Sequence, residues 1–444
     1  MPSLAALTRY FSLLWPFSLG PQVPSKNDLS QQQIVFRHQH AFIANPHLPQ
    51  SFVAAGKPPQ ILFNDRLLPP DPQTQSIREL DGDYTAAGFN PHLLRSRKTT
   101  VKRIRDQKKF HEARMRSMYD SQSTALDWDD MEIPAPDVTD RLTVHELAKL
   151  TGNAYALPDQ KGWYDTDGKW NSSTPFGWEV EDDGFRGNIF VSQDNSTVVL
   201  SIKGTSLVGQ GPTATRDKLN DNRLFSCCCA RINQSWRFST VCDCYSGGWS
   251  CTQSCLERSL QDDDLYYNLG INLYNNLTYM YPEATIWIVG HSLGGGLSGL
   301  LGATFGAPTV TFEALGDRLA ASRLHLPSPP PPPEVDVQHA FSLHPITHIF
   351  HTADPIPHGA CTGVRSLCSK AGFALEAHCH LGKTIIYDTI SKYRWSTSIT
   401  HHPIAVMVGK VLVDEWDLDG FAVPEAKPQL DCVDCYKWDF LNDE

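Results

Sequence analysis

Residues 284–304 are the stretch that most narrows the folds open to this chain. The segment begins with ATIWIV, a short apolar run that is typical of a buried strand. The sequence Gly-His-Ser-Leu-Gly follows at 290–294, and the small residues of 297–304 indicate a helix. A Gly-x-Ser-x-Gly sequence between a strand and a helix predicts a strained turn that presents a serine hydroxyl. Its glycines are needed because the strand and the helix approach closely there.

The rest of the patterned chain also alternates between strands and helices. Apolar and β-branched runs predict strands at 188–191, 197–202, 346–351 and 383–390, the first two joined as a hairpin through 193–195. Apolar periodicity predicts helices at 144–155, 265–277 and 402–412. This alternation predicts an α/β fold of the α/β-hydrolase type, with a mostly parallel sheet and helices on both faces.

Ser292 at the centre of the turn needs a neighbouring base, and the base needs an acid that orients it. In this fold the acid follows the serine in the chain, and the histidine follows the acid. The acidic candidates are Asp317, Asp336, Asp354 and Asp388. Asp354 is the best placed, because it lies in the loop just after the predicted strand 346–351. Asp317 is interpreted as a carboxylate at the start of a helix, and Asp388 lies inside a predicted strand.

Five later histidines are candidates for the base: His358, His378, His380, His401 and His402. His358 is too near Asp354 in the chain to approach it from another loop. His378 and His380 flank a cysteine, which is compatible with a structural role. His401 and His402 lie between the last predicted strand and the last predicted helix, where this fold places the base, and spacing alone does not separate them.

The oxyanion formed in such a reaction needs two backbone N–H donors. One belongs to Leu293, the residue after the nucleophile, and the other is expected in the turn after an earlier strand. Gly204 and Thr205 end the predicted strand 197–202 and fit the second role. This chemistry requires neither a metal ion nor a cofactor.

The charge of the chain limits its partners. The formal net charge of -11 argues against a nucleic-acid binder, which needs clustered lysine and arginine. One exception is the basic run at 95–116. It is interpreted either as a solvated helix face or as a patch that contacts anionic lipid headgroups.

Twelve cysteines occur in clusters, mostly within an insertion at 206–257 and near the end of the chain. Their spacing lacks the paired Cys-x-x-Cys pattern of zinc sites, so it favours disulfides and an oxidising compartment. Four glycosylation sequons agree with this setting: Asn171, Asn195, Asn233 and Asn276. We hypothesise that the insertion is a disulfide-stapled lid or membrane-contact element.

The flanking regions carry little catalytic information. Residues 1–20 contain an apolar stretch interrupted by Arg9, short for a membrane span, which predicts a signal peptide or signal anchor. Residues 21–139 are expected to form a partly disordered or helical lumenal region, with a helix near 101–119. The α/β-hydrolase domain is expected over 140–415, with a stiff proline-rich loop at 327–333, and 416–444 form a tail with a Cys-x-x-Cys sequence.

Five motifs together resemble the fungal autophagy-related vacuolar lipase family, which is related to class-three lipases. They are GHSLGGG (290–296), SIKGTS (201–206), HTADPIPHGACTG (351–363), CHLGKTIIYD (379–388) and CVDCYKWDF (432–440). The resemblance covers roughly residues 140–440. It implies an α/β-hydrolase fold and a triad of Ser292, Asp354 and His402, where the match at 402–404 selects His402 over His401.

The resemblance also implies a biological setting. Such a protein is expected to be a single-pass type II membrane protein of endosomes and multivesicular bodies, delivered to the vacuole through the endoplasmic reticulum and Golgi. There it would hydrolyse membrane phospholipids and neutral lipids of autophagic bodies and multivesicular-body vesicles. Two alternatives remain: a secreted esterase of the same fold that acts on soluble or polymer esters, and a non-catalytic membrane adaptor.

Overall fold

The computed structural model describes residues 94–120, 124–158, 160–166, 170–179, 184–206, 211–232, 240–262, 265–363, 365–416 and 423–442. The predicted signal or anchor at 1–20 and the sequon at Asn233 lie outside these residues. Within the described ranges, none of the helices combines the length and apolar character that a membrane crossing needs.

Twelve strands are present in the described parts of the chain. They are β1 (Ser96–Ile104), β2 (Trp128–Pro136), β3 (Trp170–Phe176), β4 (Gly187–Ser192), β5 (Thr197–Ile202), β6 (Tyr245–Gly247), β7 (Ser250–Thr252), β8 (Thr285–His291), β9 (Thr309–Phe312), β10 (Ile346–His351), β11 (Lys383–Tyr387) and β12 (Asp439–Leu441).

The α-helices cover the segments between these strands. They are α1 (Gln107–Asp120), α2 (Arg141–Gly152), α3 (Ala214–Phe225), α4 (Gln253–Ser259), α5 (Tyr266–Met280), α6 (Leu293–Phe305), α7 (Arg318–Arg323), α8 (Leu367–Lys370), α9 (Thr389–Tyr393) and α10 (Ile404–Val406). Short 3₁₀ turns at Asn153–Tyr155, Val337–Leu343 and Ile399–His401 and a π-helical turn at Met407–Val411 complete the list.

A seven-stranded sheet in the order β11-β10-β9-β8-β5-β4-β3 organises the molecule. The five strands from β11 to β5 run parallel, whereas β4 and β3 are added antiparallel at one edge. The predicted α/β-hydrolase fold with a mostly parallel sheet is therefore confirmed, and so is the predicted hairpin, which is the β4–β5 pair.

Both faces of this sheet are buried, which explains the nearly continuous apolar runs of its central strands. Along β8, Ile286 and Ile288 pack into the core on one face, with α5 and α6, while Trp287 and Val289 pack into the core on the other. The second core includes α2 and the π-helical turn. Alternate side chains of one strand point to opposite faces, so each strand needs apolar residues at successive positions.

Two predicted boundaries near the end of the chain are wrong. The predicted strand 383–390 ends at Tyr387, because the Asp388 side chain accepts a hydrogen bond from the Ser391 N–H and caps α9. The last helix begins at Ile404 rather than at His402, because Pro403 is extended, with ψ 139°.

The basic run also differs from its prediction, because the expected helix at 101–119 is a strand as far as Ile104 and a helix only from Gln107. Strand β1 pairs antiparallel with β2. Three cations of the basic run form ion pairs with carboxylates of β2: Lys98–Glu132 (3.3 Å), Lys102–Asp130 (2.8 Å) and Arg105–Asp129 (2.7 Å). These three cations are therefore paired with carboxylates, although the side chains of Lys98 and Arg105 stay largely exposed to solvent.

All twelve cysteines form disulfides, as the sequence predicted. The pairs are Cys227–Cys435, Cys228–Cys251, Cys229–Cys242, Cys244–Cys255, Cys361–Cys368 and Cys379–Cys432. Within the insertion, β6 and β7 form a small sheet that β12 from the tail completes. The tail is thus joined to the insertion by the Cys227–Cys435 disulfide and by the pairing of β12 with β7.

Candidate active site

Ser292 occupies a sharp turn between β8 and α6. Its φ of 57° and ψ of -125° are strained for a residue with a side chain. A Cβ atom at Gly290 would lie 2.2 Å from the Gly294 carbonyl oxygen, and one at Gly294 would lie 2.2 Å from the Ile202 carbonyl oxygen. The glycines on either side are therefore required by close backbone contacts, as the sequence predicted.

A continuous row of hydrogen bonds joins the three side chains that the family resemblance selected. The Nε2 atom of His402 lies 2.8 Å from the Oγ atom of Ser292, and its Nδ1 atom lies 2.6 Å from the Oδ2 atom of Asp354. Asp354 follows β10, and His402 follows the 3₁₀ turn Ile399–His401. Asp354 is fully buried, whereas His402 and Ser292 keep 7% and 5% of their surface exposed.

The competing bases have other partners. The ring of His401 stacks on Trp395, with ring centroids 4.4 Å apart. His378 pairs with Asp434 (3.2 Å), and His380 lies 3.1 Å from the Ala314 carbonyl oxygen. Of the two histidines that spacing left open, His402 is the one whose ring lies within hydrogen-bonding distance of Ser292 and Asp354.

The competing acids are also placed elsewhere. Asp336 caps the 3₁₀ turn Val337–Leu343, and Asp388 caps α9. Asp317 does lie at the start of a helix, α7, but it is fully buried and accepts a hydrogen bond from the Leu381 N–H.

The Asp354 carboxylate is held in its ionised form. Burial alone raises its pKa, but the charge and hydrogen bond of His402 and a hydrogen bond from Glu313 lower that pKa to about 2. Its second oxygen, Oδ1, accepts a hydrogen bond of 2.9 Å from the Ile356 N–H. The carboxylate therefore has fixed partners on both oxygens.

The predicted oxyanion donors lie on two elements that meet at Ser292. Leu293 is the first residue of α6, so its N–H has no partner within the helix. A Cβ atom at Gly204 would lie 3.0 Å from the Cβ of Ser292, which places the turn after β5 directly against the nucleophile. In that turn, the Thr205 hydroxyl donates a hydrogen bond of 2.5 Å to Asp221 on α3.

Lys203 is a residue that sequence reasoning missed. Its buried ammonium group donates to the Gly204 carbonyl (2.8 Å), to the Ser206 hydroxyl (2.9 Å) and to the carboxylate of Asp217 (3.2 Å). Together with the Thr205–Asp221 bond, this network joins the turn after β5 to α3 of the insertion. A lysine directly after an apolar strand was the available signal.

Tyr155 and His291 were also missed. The Tyr155 hydroxyl lies 2.6 Å from Nδ1 of His291, and it accepts a hydrogen bond of 3.1 Å from the Gly204 N–H. No sequence pattern connects these positions, because they are far apart in the chain.

The four sequons remain predictions. Asn195 is exposed at the β4–β5 turn, and Asn276 is partly exposed on α5. Asn171 lies in the backbone of β3, but its side chain is not among those that the structure describes. Asn233 lies outside the described residues.

Comparisons with known proteins show lipases among the relatives of this chain. The model of the family "Lipase (class 3)" matches residues 271–362, which include Ser292 and Asp354. A protein named as lipase ATG15 from Cryptococcus neoformans var. neoformans strain JEC21 is 42% identical over 442 residues, covering 93% of this chain and 83% of that protein. Its counterpart in strain B-3501A is 38% identical and covers 97% of this chain and 98% of that protein.

Among solved structures, the Lip2 lipase from Yarrowia lipolytica is similar at 17% identity with a TM-score of 0.29. The match covers 55% of this chain and 77% of that one.

Proposed function

Because this chain belongs to the family of proteins named as lipase ATG15, we propose that it is a serine lipase that hydrolyses acyl esters of membrane lipids through Ser292, His402 and Asp354. The observation that carries this proposal is the hydrogen-bonded row from Asp354 through His402 to Ser292 at the strained turn after β8. Such a row is the arrangement that activates a serine hydroxyl for acyl transfer.

In the proposed mechanism, Ser292 Oγ attacks the acyl carbonyl carbon while Nε2 of His402 takes the hydroxyl proton. Asp354 stabilises the resulting imidazolium, and the N–H groups of Leu293 and Thr205 stabilise the oxyanion. The proton on His402 then passes to the departing alcohol oxygen, which leaves an acyl group on Ser292. A water molecule, deprotonated by His402, releases the fatty acid and restores the serine.

The setting that we propose is the lumen of the vacuole. Six disulfides fit a history in an oxidising compartment, and the four sequons fit passage through the endoplasmic reticulum and Golgi. The substrates would be phospholipids and neutral lipids of autophagic bodies and multivesicular-body vesicles. The type II anchor stays a prediction, because residues 1–20 lie outside the described ranges.

The insertion remains the proposed lid or membrane-contact element. Hydrogen bonds from Lys203 and Thr205 join the turn that supplies an oxyanion donor to α3 of the insertion. A movement of α3 would therefore be transmitted to the catalytic centre. If opening its disulfides left activity on vesicles and on soluble esters equally unchanged, this role would be excluded.

The test is lipid mass analysis of phospholipid vesicles incubated with the purified protein and its variants. Ser292→Ala is expected to abolish fatty-acid release, and Asp354→Asn to reduce it about 10⁴-fold, the size measured for this change in a serine protease triad. Asp388→Asn and His401→Gln serve as matched controls, because these side chains do not contact Ser292, His402 or Asp354. Comparable losses in the controls would reject the assignment.

Two further outcomes would favour the alternatives. A preference for a soluble ester over vesicles would favour a secreted esterase. Unchanged membrane turnover in cells that carry Ser292→Ala, with the protein folded, would favour a non-catalytic adaptor.

A further inference from the structure

Glu313 is a fully buried acidic residue directly after β9. Its φ of 46° lies in the left-handed region, which is unfavourable for a residue with a long side chain. Its backbone N–H still donates to the Ile349 carbonyl (3.0 Å), so the strained residue extends the β9–β10 ladder. Strain of this kind persists where the surrounding structure requires one orientation of a side chain.

That orientation brings the Glu313 carboxyl against Asp354. Its Oε1 atom accepts a hydrogen bond of 3.1 Å from the His351 N–H, and its carboxyl lies beside the Asp354 carboxylate, close enough for one proton to be shared between the two groups. Its Oε2 atom accepts no hydrogen bond from the described residues. A buried carboxyl oxygen without a donor is satisfied when the oxygen itself carries the proton.

The nearest basic group does not neutralise Glu313. Nε2 of His351 lies 3.8 Å from Oε1, but it is also 3.1 Å from the His401 carbonyl oxygen, to which it donates. Burial above all lowers the pKa of His351 to about 4, so this ring is neutral in mild acid. His402 faces Asp354 on the far side of the carboxyl pair.

Two buried carboxyl groups in contact do not both ionise, because their repulsion is weakly screened. Asp354 has His402 and the Ile356 N–H to stabilise its anion, whereas Glu313 accepts a hydrogen bond, among the described residues, only from the His351 N–H. Burial, the charge of Asp354 and the hydrogen bond between them all raise the pKa of Glu313 well above its ordinary value. The proton of the pair therefore resides on Glu313.

We propose that Glu313 is a positioning residue whose protonated carboxyl donates a hydrogen bond to Asp354 and holds that carboxylate ionised and aligned with His402. This role rests on the proposed Ser292–His402–Asp354 triad. It provides Asp354 with a neutral donor at a place where a lysine or arginine would compete with His402 for the carboxylate. It also keeps the anion stable as the surroundings become acidic.

Two variants at position 313 distinguish a side chain that donates a hydrogen bond to Asp354 from one that only fills space. Glu313→Gln keeps the shape, an oxygen for the His351 N–H and an N–H donor for Asp354, whereas Glu313→Leu keeps only bulk. We expect Glu313→Leu to lower kcat/KM about tenfold to hundredfold, since a hydrogen bond to a charged group is lost. In Glu313→Leu we also expect the acid limb of the pH profile of kcat/KM to move to higher pH, because the Asp354 anion has lost a stabilising donor. Glu313→Gln is expected to retain most of the activity and the acid limb of the wild-type protein.

Infrared difference spectroscopy gives a readout that a merely structural role would not move. Because burial also raises the pKa of Asp317 to about 7, the band of Glu313 is read from the difference between the spectra of the wild-type protein and Glu313→Gln at neutral pH. This difference is expected to contain the carbonyl band of one buried protonated carboxylic acid, which the variant has lost. This measurement remains decisive if Glu313→Leu fails to fold. A wild-type protein without that band, or a Gln variant as impaired as a folded Leu variant, would overturn the proposal.

The proposed triad is tested separately by labelling with a serine-reactive fluorophosphonate. Labelling that is lost in Ser292→Ala supports the triad whatever Glu313 does. If the wild-type protein is not labelled, the proposed function itself fails, and the infrared band then reports only on the state of the carboxyl pair.

Discussion

The Nε2 atom of His291 donates a hydrogen bond of 2.9 Å to the backbone carbonyl oxygen of His402. Since a carbonyl oxygen only accepts, the proton of the His291 ring is on Nε2, and Nδ1 accepts from the Tyr155 hydroxyl at 2.6 Å. Burial above all lowers the pKa of His291 to about 3, so this tautomer persists in acid. One row of hydrogen bonds thus joins the turn after β5, the nucleophile turn and the loop of the base.

The first prediction concerns Tyr155, whose hydroxyl begins this row. Tyr155→Phe leaves Nδ1 of His291 and the Gly204 N–H without their partner, so we expect kcat/KM on a soluble ester to fall about tenfold. Tyr267→Phe is the matched control, because it removes an equally buried hydroxyl that bonds Thr304 at 2.8 Å on α6. Equal losses of activity in the two variants would show that the row has no role in catalysis.

The second prediction concerns the close approach of β5 to the nucleophile turn. A Cβ atom at Gly204 would lie 2.4 Å from the His291 carbonyl oxygen and 2.3 Å from the Tyr155 hydroxyl, so Gly204→Ala must displace one of them. We expect a loss of about 1–3 kcal/mol in the free energy of unfolding and a larger loss of activity. Gly409→Ala is the control, because a Cβ atom there would meet nothing within 4 Å. It should leave the free energy of unfolding, measured in urea, and the activity, measured on a soluble ester, nearly unchanged.

The third prediction concerns the disulfide that binds the tail to the insertion. Cys227 and Cys435 are 208 residues apart, whereas Cys361 and Cys368 are 7 apart. Because a longer loop restricts the unfolded chain more, we expect paired serine substitutions to cost about 5 kcal/mol at the first bridge and about 2 kcal/mol at the second. Urea unfolding of the two double variants measures the difference, and the reverse order would contradict this explanation.

The fourth prediction concerns the stability of the protein in acid. Burial, more than the nearby Lys149 charge, lowers the pKa of His145 from 6.5 to about 4. The unfolded chain then binds more protons than the folded one, so this stability is complete above pH 6.5 and is lost as the pH falls towards 4. By about pH 5 the loss is about 2 kcal/mol, and His145→Gln is expected to remove this dependence.

A buried carboxyl group acts in the opposite direction. Burial raises the pKa of Asp317 from 3.8 to about 7, so the folded protein binds a proton first and gains stability as the pH falls from 7. Asp317→Asn is therefore expected to steepen the loss of stability in acid, whereas His145→Gln makes it shallower. Urea unfolding at several pH values from about 7 to about 5 measures both slopes, and slopes of equal sign would be inconsistent with these pKa shifts.

Local patterns were sufficient to predict Ser292 as the nucleophile and to place it in a strained strand–turn–helix. The turn at 290–294 could be recognised because an apolar strand, glycines and a helix of small residues are adjacent in the chain. The family resemblance carried by five motifs is confirmed by the relatives. The central strands could be predicted because their side chains are buried on both faces of the sheet, which requires continuous runs of apolar residues. By contrast, the expected helix at 101–119 failed at its start, because pairing with β2 is a long-range contact that local propensity does not encode.

By itself, then, the sequence determined the fold class, the strand–turn–helix at Ser292 and the existence of disulfides, and it predicted an order of nucleophile, acid and base. Only the tertiary structure decided which cysteines pair, why His402 and not His401 faces Ser292, and that Tyr155, Lys203 and Glu313 surround the site. These features depend on which chain segments meet in space. Hydrogen bonds between residues more than a hundred positions apart, such as Ser292 and His402, leave no local periodicity in the sequence.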